Sequence, residues 1–425
     1  MVVILAVGVP RPALAADDAV EPVVVRQGSR VSVQILPQVE LITGVLSLTS
    51  WMDEYGPVHR GNRYFRDIQE LFHLHYDHEA VQIAEDMLDR GFIHDLMPGL
   101  AFRLDSPPDL RWRYPVDQRL LVRAGGIEAL EGFRGALEDL FAASEFTDFL
   151  REHRPLYETL VEGAAEEVDG RVLVEWIEGF FGWSASEYKT VLAPATFPAG
   201  GYGVMVTFDD DSFQAVGIIR ASSAGEGPPV FPRGESLAGL MLHEWGHSFV
   251  DPTLLEYTHQ VRGLEFLFEP VEDRMRVQAY TNVYTWANEQ VLRAVCALAV
   301  DDLFGSVAYE QEISVNESRG FYLTRHLSDY LRTEYVGGRD QYETFDDFAP
   351  VLLEHMAHID PDGFLPGFQP VTLQALPYVL MGMVVLVSAL WWLAWGLRRR
   401  RERIEAMDEA EEWPGTDDPT GPKSP

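Results

Sequence analysis

Apolar residues recur every three or four positions over 38–52, 64–72, 79–90, 127–150 and 156–163, the spacing of helices that each bury one face. Short turns such as Ser106-Pro107-Pro108 separate them, so this stretch reads as a helical lobe. The pattern changes after Pro198. Segments 202–208 and 214–221 read as two strands joined by the acidic turn Asp209-Asp210-Asp211. A Gly- and Pro-rich loop follows, then an apolar run over 236–250 and further helical periodicity over 277–300, 321–335 and 345–358. No repeat or long linker divides 24–366. The expected architecture is therefore one α+β domain, mostly helical with a small sheet: a helical lobe over about 38–190, strands and a central helix over about 200–252, and a second helical lobe over about 271–358.

The two ends add a compartment to this picture. Residues 1–15 carry a short apolar run closing on Ala13-Leu14-Ala15, the small-x-small pattern of a signal-peptidase site, although no basic residues precede it. Residues 375–397 contain no charge, which is enough chain to cross a ~30 Å hydrocarbon layer. Trp391, Trp392 and Trp395 sit near one end of that run, and Arg398 to Arg401 follow it. These features predict one C-terminal transmembrane helix over 371–397, an exported domain over 16–369 and a disordered cytoplasmic tail over 398–425. The expected localisation is a single-pass position in the cell membrane.

Composition narrows the partners. The 425 residues are 47% apolar, enough for a substantial core, and carry a net charge of −34. Such a charge disfavours nucleic acid, which needs Lys and Arg to displace its counterions. Lys189 and Lys423 are the only lysines, and Cys296 is the only cysteine, which rules out an intrachain disulfide. An exported domain held together by packing alone fits a bacterial source.

The candidate chemistry lies in LMLHEWGHSFVDP, residues 240–252. On a helix, His243 and His247 share a face and can present two imidazoles to one ion, the HExxH arrangement of a zincin metalloprotease. Glu244, beside the first of them, is placed to take a proton from a water acidified by Zn²⁺. Gly246 keeps the helix slim where it must pack, and Asp251 lies one turn past His247, where its carboxylate can orient that ring. The competing reading is an apolar helix whose histidines are satisfied by core hydrogen bonds. Burying His, Glu and His together without a cation would be costly, which favours the metal.

A catalytic zinc needs a third protein ligand. Val250 and Thr253 stand where a metzincin would have Gly and His, which leaves a carboxylate from a later helix. Glu289, the one acid in the otherwise apolar and aromatic run YTNVYTWANEQVLRAVCALAV, is the first choice, with Glu269 and Glu272 in reserve. A surface pair with Arg293 at i+4 is the alternative role for Glu289. Tyr322 is the candidate oxyanion stabiliser, ahead of His326, Tyr280 and Tyr284. By analogy with zincins, strand 214–221, just before the HExxH helix, is expected to offer a free edge to an extended substrate. His73, His75 and His78 have a spacing that suits no single helical face and read as structural.

HEWGHSFVDP resembles the signature of an uncharacterised bacterial family, a domain of unknown function assigned to the gluzincin type of zinc peptidases. The likeness extends to HLHYDHEAVQIAEDMLDRGFIHDLMPGLAFRL, to ANEQVLRAV and to GFYLTRHLSDYLRTEYVGGRDQYETFDDFAPVL. It implies a zincin-like catalytic domain with His243, His247 and Glu289 on Zn²⁺ and Glu244 as general base, acting on a peptide or protein. It supplies no particular substrate. A peptidase of cell-wall cross-links, or a catalytically silent zinc-stabilised binding domain, are the alternatives.

Overall fold

The computed structural model describes residues 20–51, 62–93, 95–195, 200–221 and 227–364. The elements discussed below lie in the first of two compact units, Met1–Pro361. At its centre is a five-stranded sheet: β1 (Val23–Gln27), β2 (Val31–Ile35), β3 (Glu187–Ala193), β4 (Gly201–Thr207) and β5 (Phe213–Arg220), in the order β1-β2-β3-β5-β4. The outer pairs are antiparallel hairpins, whereas β2, β3 and β5 run parallel.

This sheet overturns the expected fold class. A small sheet of two strands within an α+β, zincin-like domain is replaced by a mixed sheet with two parallel pairs, drawing strands from both sides of the helical lobe. Strand β3 is missed because it is buried on both faces and reads VLA where a half-buried strand would alternate. Strand β5 lies between β3 and β4, so the expectation of a free edge on 214–221 is also corrected; β4 is the edge. The expected signal peptide and transmembrane segment lie outside the described residues. Among the described residues, no helix is long and apolar enough to cross a membrane.

Helices cover the sheet. Between β2 and β3 run α1 (Pro37–Leu46), α2 (Arg63–Phe72), α3 (Glu79–Asp89), α4 (Leu96–Phe102), α5 (Gln118–Ala124), α6 (Ile127–Ala143), α7 (Phe146–Glu167) and α8 (Gly170–Phe181). The helix break falls at Ser144 and Glu145 rather than near Pro155, which lies inside α7. After β5 come α9 (Gly234–Glu256), α10 (Val283–Phe304), α11 (Ser306–Arg319), α12 (Thr324–Tyr330) and α13 (Phe345–Ala357). Helix α9 continues through Pro252 for a further turn, where the sequence suggests a stop.

Strand alternation gives the sheet two unlike faces. Val31, Tyr188 and Gly217 look towards α9; the neighbouring Ser32, Lys189 and Val216 look away. On the first face Phe249 of α9 packs against Phe181, Trp183 and Phe213, and the Trp245 indole N–H donates to the Lys189 carbonyl at 3.0 Å. Helix α9 is therefore pinned to the sheet at the residue between Glu244 and Gly246.

Glu40 of α1 is fully buried, with the Ala195 N–H on one carboxylate oxygen at 3.3 Å and the other oxygen without a hydrogen bond among the described residues. Burial pushes its carboxyl up to about 8, against the opposing pull of Tyr64 and the Ala195 N–H. The folded protein then holds a proton that the unfolded chain releases near the usual carboxylate value. Stability attributable to this group falls as pH rises through that window, by at most about 1.4 kcal/mol per pH unit. Glu40→Gln is expected to gain stability over wild type progressively from pH 5 to pH 8 in denaturant titrations. Parallel curves for the two proteins would remove this account of Glu40.

Candidate metal centre

HEWGH occupies the middle of α9, where Leu237, Met241 and Leu242 bury the preceding turns. Helical spacing brings the His243 and His247 rings to a 5.0 Å centroid separation at 84°. The partner helix α10 is buried almost continuously from Trp286 to Val300 and begins at Asn282, whose side chain accepts the Thr285 N–H. The two helices come close because position 246 has no side chain; a Cβ there would run into Leu292. That approach delivers Glu289 to the histidines.

His243 Nε2 lies 3.5 Å from Glu289 Oε2, and His247 Nε2 lies 3.4 Å from Glu289 Oε1. One ligand atom from each of the three residues falls within 4.8 Å of the others, the one such His, Cys, Asp and Glu grouping among the described residues. Asp251 Oδ1 sits 3.2 Å from His247 Nδ1, the orienting contact expected from its spacing. Arg293 Nη2 approaches Glu289 Oε2 at 2.8 Å, and both side chains are 11% exposed, so this pair is internal rather than a surface pair. Even so, Glu289 Oε2 accepts no hydrogen bond among the described residues.

The electrostatics suit a cation. Burial alone would raise the Glu289 carboxyl, but Arg293 and the two imidazoles hold it well below the usual range. Burial lowers His243 more than Glu289 raises it, leaving that ring neutral with a lone pair to donate. For His247 the balance reverses: burial opposes protonation, yet Asp251 and Glu289 hold it well above the ordinary histidine value. The pocket thus demands positive charge, which a proton or a metal ion can supply. Two imidazoles and a carboxylate are the donors zinc takes in three-ligand catalytic sites, and Glu289 Oε2, which accepts no hydrogen bond among the described residues despite its ion pair with Arg293, keeps a lone pair for an ion. The residues present therefore fit the ion.

Glu244 is only 3% exposed and is not one of the three converging residues. Burial, the dominant influence, pushes its carboxyl up to about 8. It packs beside the edge strand β4, where glycine is needed at 203. A Cβ on Gly203 would lie 2.6 Å from His247 Cβ and 2.7 Å from the Glu244 carbonyl oxygen. Gly203→Ala is therefore expected to push β4 off α9, lowering stability by about 1–3 kcal/mol and weakening metal binding at once. Calorimetry of unfolding and a zinc titration would check it; normal values of both would show that the strand has room.

Strand β4 passes beside this centre, with Gly201 and Gly203 against Glu244 and His247. The flanking bonds Arg220 N–H to Gly200 O and Phe208 N–H to Ser212 O show that even-numbered residues of β4 pair with β5. Gly201, Gly203 and Met205 therefore turn their N–H and C=O groups away from β5. The Met205 carbonyl is taken by Arg103 Nη2 at 2.9 Å.

Other candidates fall elsewhere. The Tyr322 hydroxyl donates to the Leu267 carbonyl at 2.7 Å, with the ring stacked on Trp286, a structural role. His326 and His355 approach each other at 2.8 Å through their Nε2 atoms. Tyr284 OH is 3.4 Å from the Asp251 carbonyl. Tyr280 is the tyrosine that feels the site: burial first, and then Glu289 and Glu244, push its hydroxyl up, and Arg293 Nη2 lies 3.5 Å from it. Glu269 is exposed, and Glu272 pairs with Arg276 at 2.6 Å. His73 and His75 lie on an exposed turn, and His78 caps α3 by accepting the Ala80 N–H. Two neighbours were not anticipated as parts of the site, namely the buried Arg293 and Cys296, whose Sγ lies 4.0 Å from His243 Nδ1. Their offsets of four and seven from Glu289 place them on its helix face, a signal that was available.

A mixed α/β domain presenting an HExxH helix against a glutamate-bearing helix is, by its donor set, a candidate metal-centre protein. The family model for Domain of unknown function (DUF4932) matches residues 32–355, most of the chain. The chain belongs to that family, whose description names no activity. No curated protein and no solved structure matches it.

Proposed function

We propose that this protein is a zinc-dependent peptidase. The observation that carries the reading is the convergence of His243, His247 and Glu289 on one point with Glu244 beside them and outside the donor set. When bound there, zinc would acidify a water and polarise a substrate carbonyl. Glu244 takes the proton of the attacking water and passes it to the leaving amine, the general-base and general-acid role its position suits. Asp251 holds the His247 ring, and Arg293 holds Glu289 in its ionised form. An extended peptide pairing with the outward edge of β4 would run beside Glu244 and His247, which supports a peptide substrate over a small ester.

The test is metal content and cleavage of a peptide library by the full chain, wild type beside Glu289→Gln. One zinc per chain and measurable cleavage are expected for wild type, with both lost in Glu289→Gln. Wild type without stoichiometric zinc would end the proposal. Zinc without cleavage of any peptide would favour a zinc-stabilised binding domain instead.

A further inference from the structure

The sheet face turned away from α9 has an unusual floor. Val24 and Arg26 of β1, Ser32 and Gln34 of β2, and Glu187 and Lys189 of β3 line a cavity of about 510 Å³, closed by the chain that follows α4. That volume is in the range of small-ligand sites. Ser32 is 3% exposed and Gln34 7%, yet neither side chain has a hydrogen-bond partner among the described residues. Their polar atoms are not sealed in the core; they open onto the cavity, where they can bond whatever occupies it.

The charges around the cavity show what kind of partner. Four basic and four acidic side chains line it, a local balance in a chain of net charge −34. Lys189 Nζ is saturated by Glu187 at 2.7 Å and by Tyr114 OH and Gln214 Oε1 at 2.9 Å each. Arg111 is held by Asp109 at 2.8 Å, and Arg26 leans towards Glu187 at 4.0 Å. Arg113 keeps a guanidinium with no ion-pair partner, and Asp105, and at the rim Glu21, keep carboxylates in the same condition, among the described residues. A simple anion would face Asp105, a simple cation would face Arg113, and an apolar molecule would leave Ser32 and Gln34 unsatisfied.

We propose that this cavity binds a zwitterionic solute of amino-acid or dipeptide size. Its carboxylate meets Arg113, its ammonium group meets Asp105, and its amide or other neutral polar group meets Ser32 and Gln34. The cavity is on the opposite face of the sheet from His243, His247 and Glu289, so its occupant is not the bond under attack at the metal centre. The assignment stands whether or not that centre is a peptidase.

Isothermal titration of the full chain with alanyl-alanine tests this, in a Glu244→Gln background that prevents turnover of the probe. Saturable one-site binding is expected, weakened by about tenfold or more when the dipeptide is N-acetylated or C-terminally amidated. Arg113→Ala and Asp105→Asn, both outside the core, should each weaken it by a similar factor with unchanged unfolding temperature. Gln34→Leu should abolish it; if that variant fails to fold, the other two still decide. No saturable binding at millimolar alanyl-alanine would overturn the proposal, as would equal affinity for the blocked dipeptides. Full affinity in Arg113→Ala would also overturn it, because the probe would then be bound elsewhere.

Discussion

Glutamine at position 244 is expected to leave one zinc per chain in place while lowering peptide hydrolysis by about 10²–10⁴-fold, the range for loss of a positioned acid–base group. The side chain is 3% exposed and wedged beside β4, so a smaller residue would change packing as well as chemistry. Glutamine keeps the shape. It also mimics the protonated form that burial favours by pushing the carboxyl up to about 8, so the fold should tolerate it well. The proposed metal donors are the two imidazoles and Glu289, which the substitution does not touch. Zinc stoichiometry by elemental analysis and turnover of a fluorogenic peptide are the measurements. Cleavage at the wild-type rate would remove Glu244 from the mechanism, and loss of zinc would make it a ligand.

The second large effect concerns Arg293. Methionine there is expected to destabilise the metal-free protein by about 3–5 kcal/mol, the usual result of stripping one partner from a buried ion pair. Arg293 sits 2.8 Å from Glu289 Oε2, donates to Asn316 Oδ1 at 2.8 Å and lies 4.2 Å above the Phe321 ring. Without it, Glu289 depends on the two imidazoles for compensation in a largely buried site. On the proposed reading zinc would supply the missing charge and bind the folded state, so adding it should recover most of the loss. Unfolding curves with and without zinc measure the difference. An equal loss in both states would mean that Arg293 matters through its contacts with Phe321 and Asn316 rather than through charge.

Much of the site could be read from the chain because helical periodicity is local. His243 and His247 are four residues apart, and a lone acid in an apolar helix identifies itself, so Glu289 could be named before any tertiary contact was known. The sheet is different. Val31 pairs with Tyr188 across the entire first helical lobe, and no short window contains both strands. Whether β4 or β5 forms the edge depends on the parallel pairing of β3 with β5, again a long-range choice. Tyr322 illustrates a related limit. A tyrosine near the motif in sequence cannot show that its hydroxyl is engaged by the Leu267 carbonyl, whereas Tyr280, three residues before α10, lies against the site. Glu289 and Arg293 do form the i+4 pair, but inside the protein beside the histidines and not at the surface where the alternative reading put it.

The guanidinium of Arg103 on the Met205 carbonyl bears on solubility. An open strand edge is a template on which other chains, including copies of the same protein, can stack without limit. On β4 the Met205 rung is already taken, by a side chain that is itself anchored to Asp117 at 2.7 Å and to the Pro115 carbonyl at 3.0 Å. What is left of the outward edge is Gly201 and Gly203 on one side of that block and Thr207 on the other. The pair of glycines can hold and orient one peptide, but the blocked carbonyl interrupts the continuous ladder that a growing stack needs. Arg103→Leu would therefore be the substitution to watch for aggregation in a protein whose metal centre is still intact.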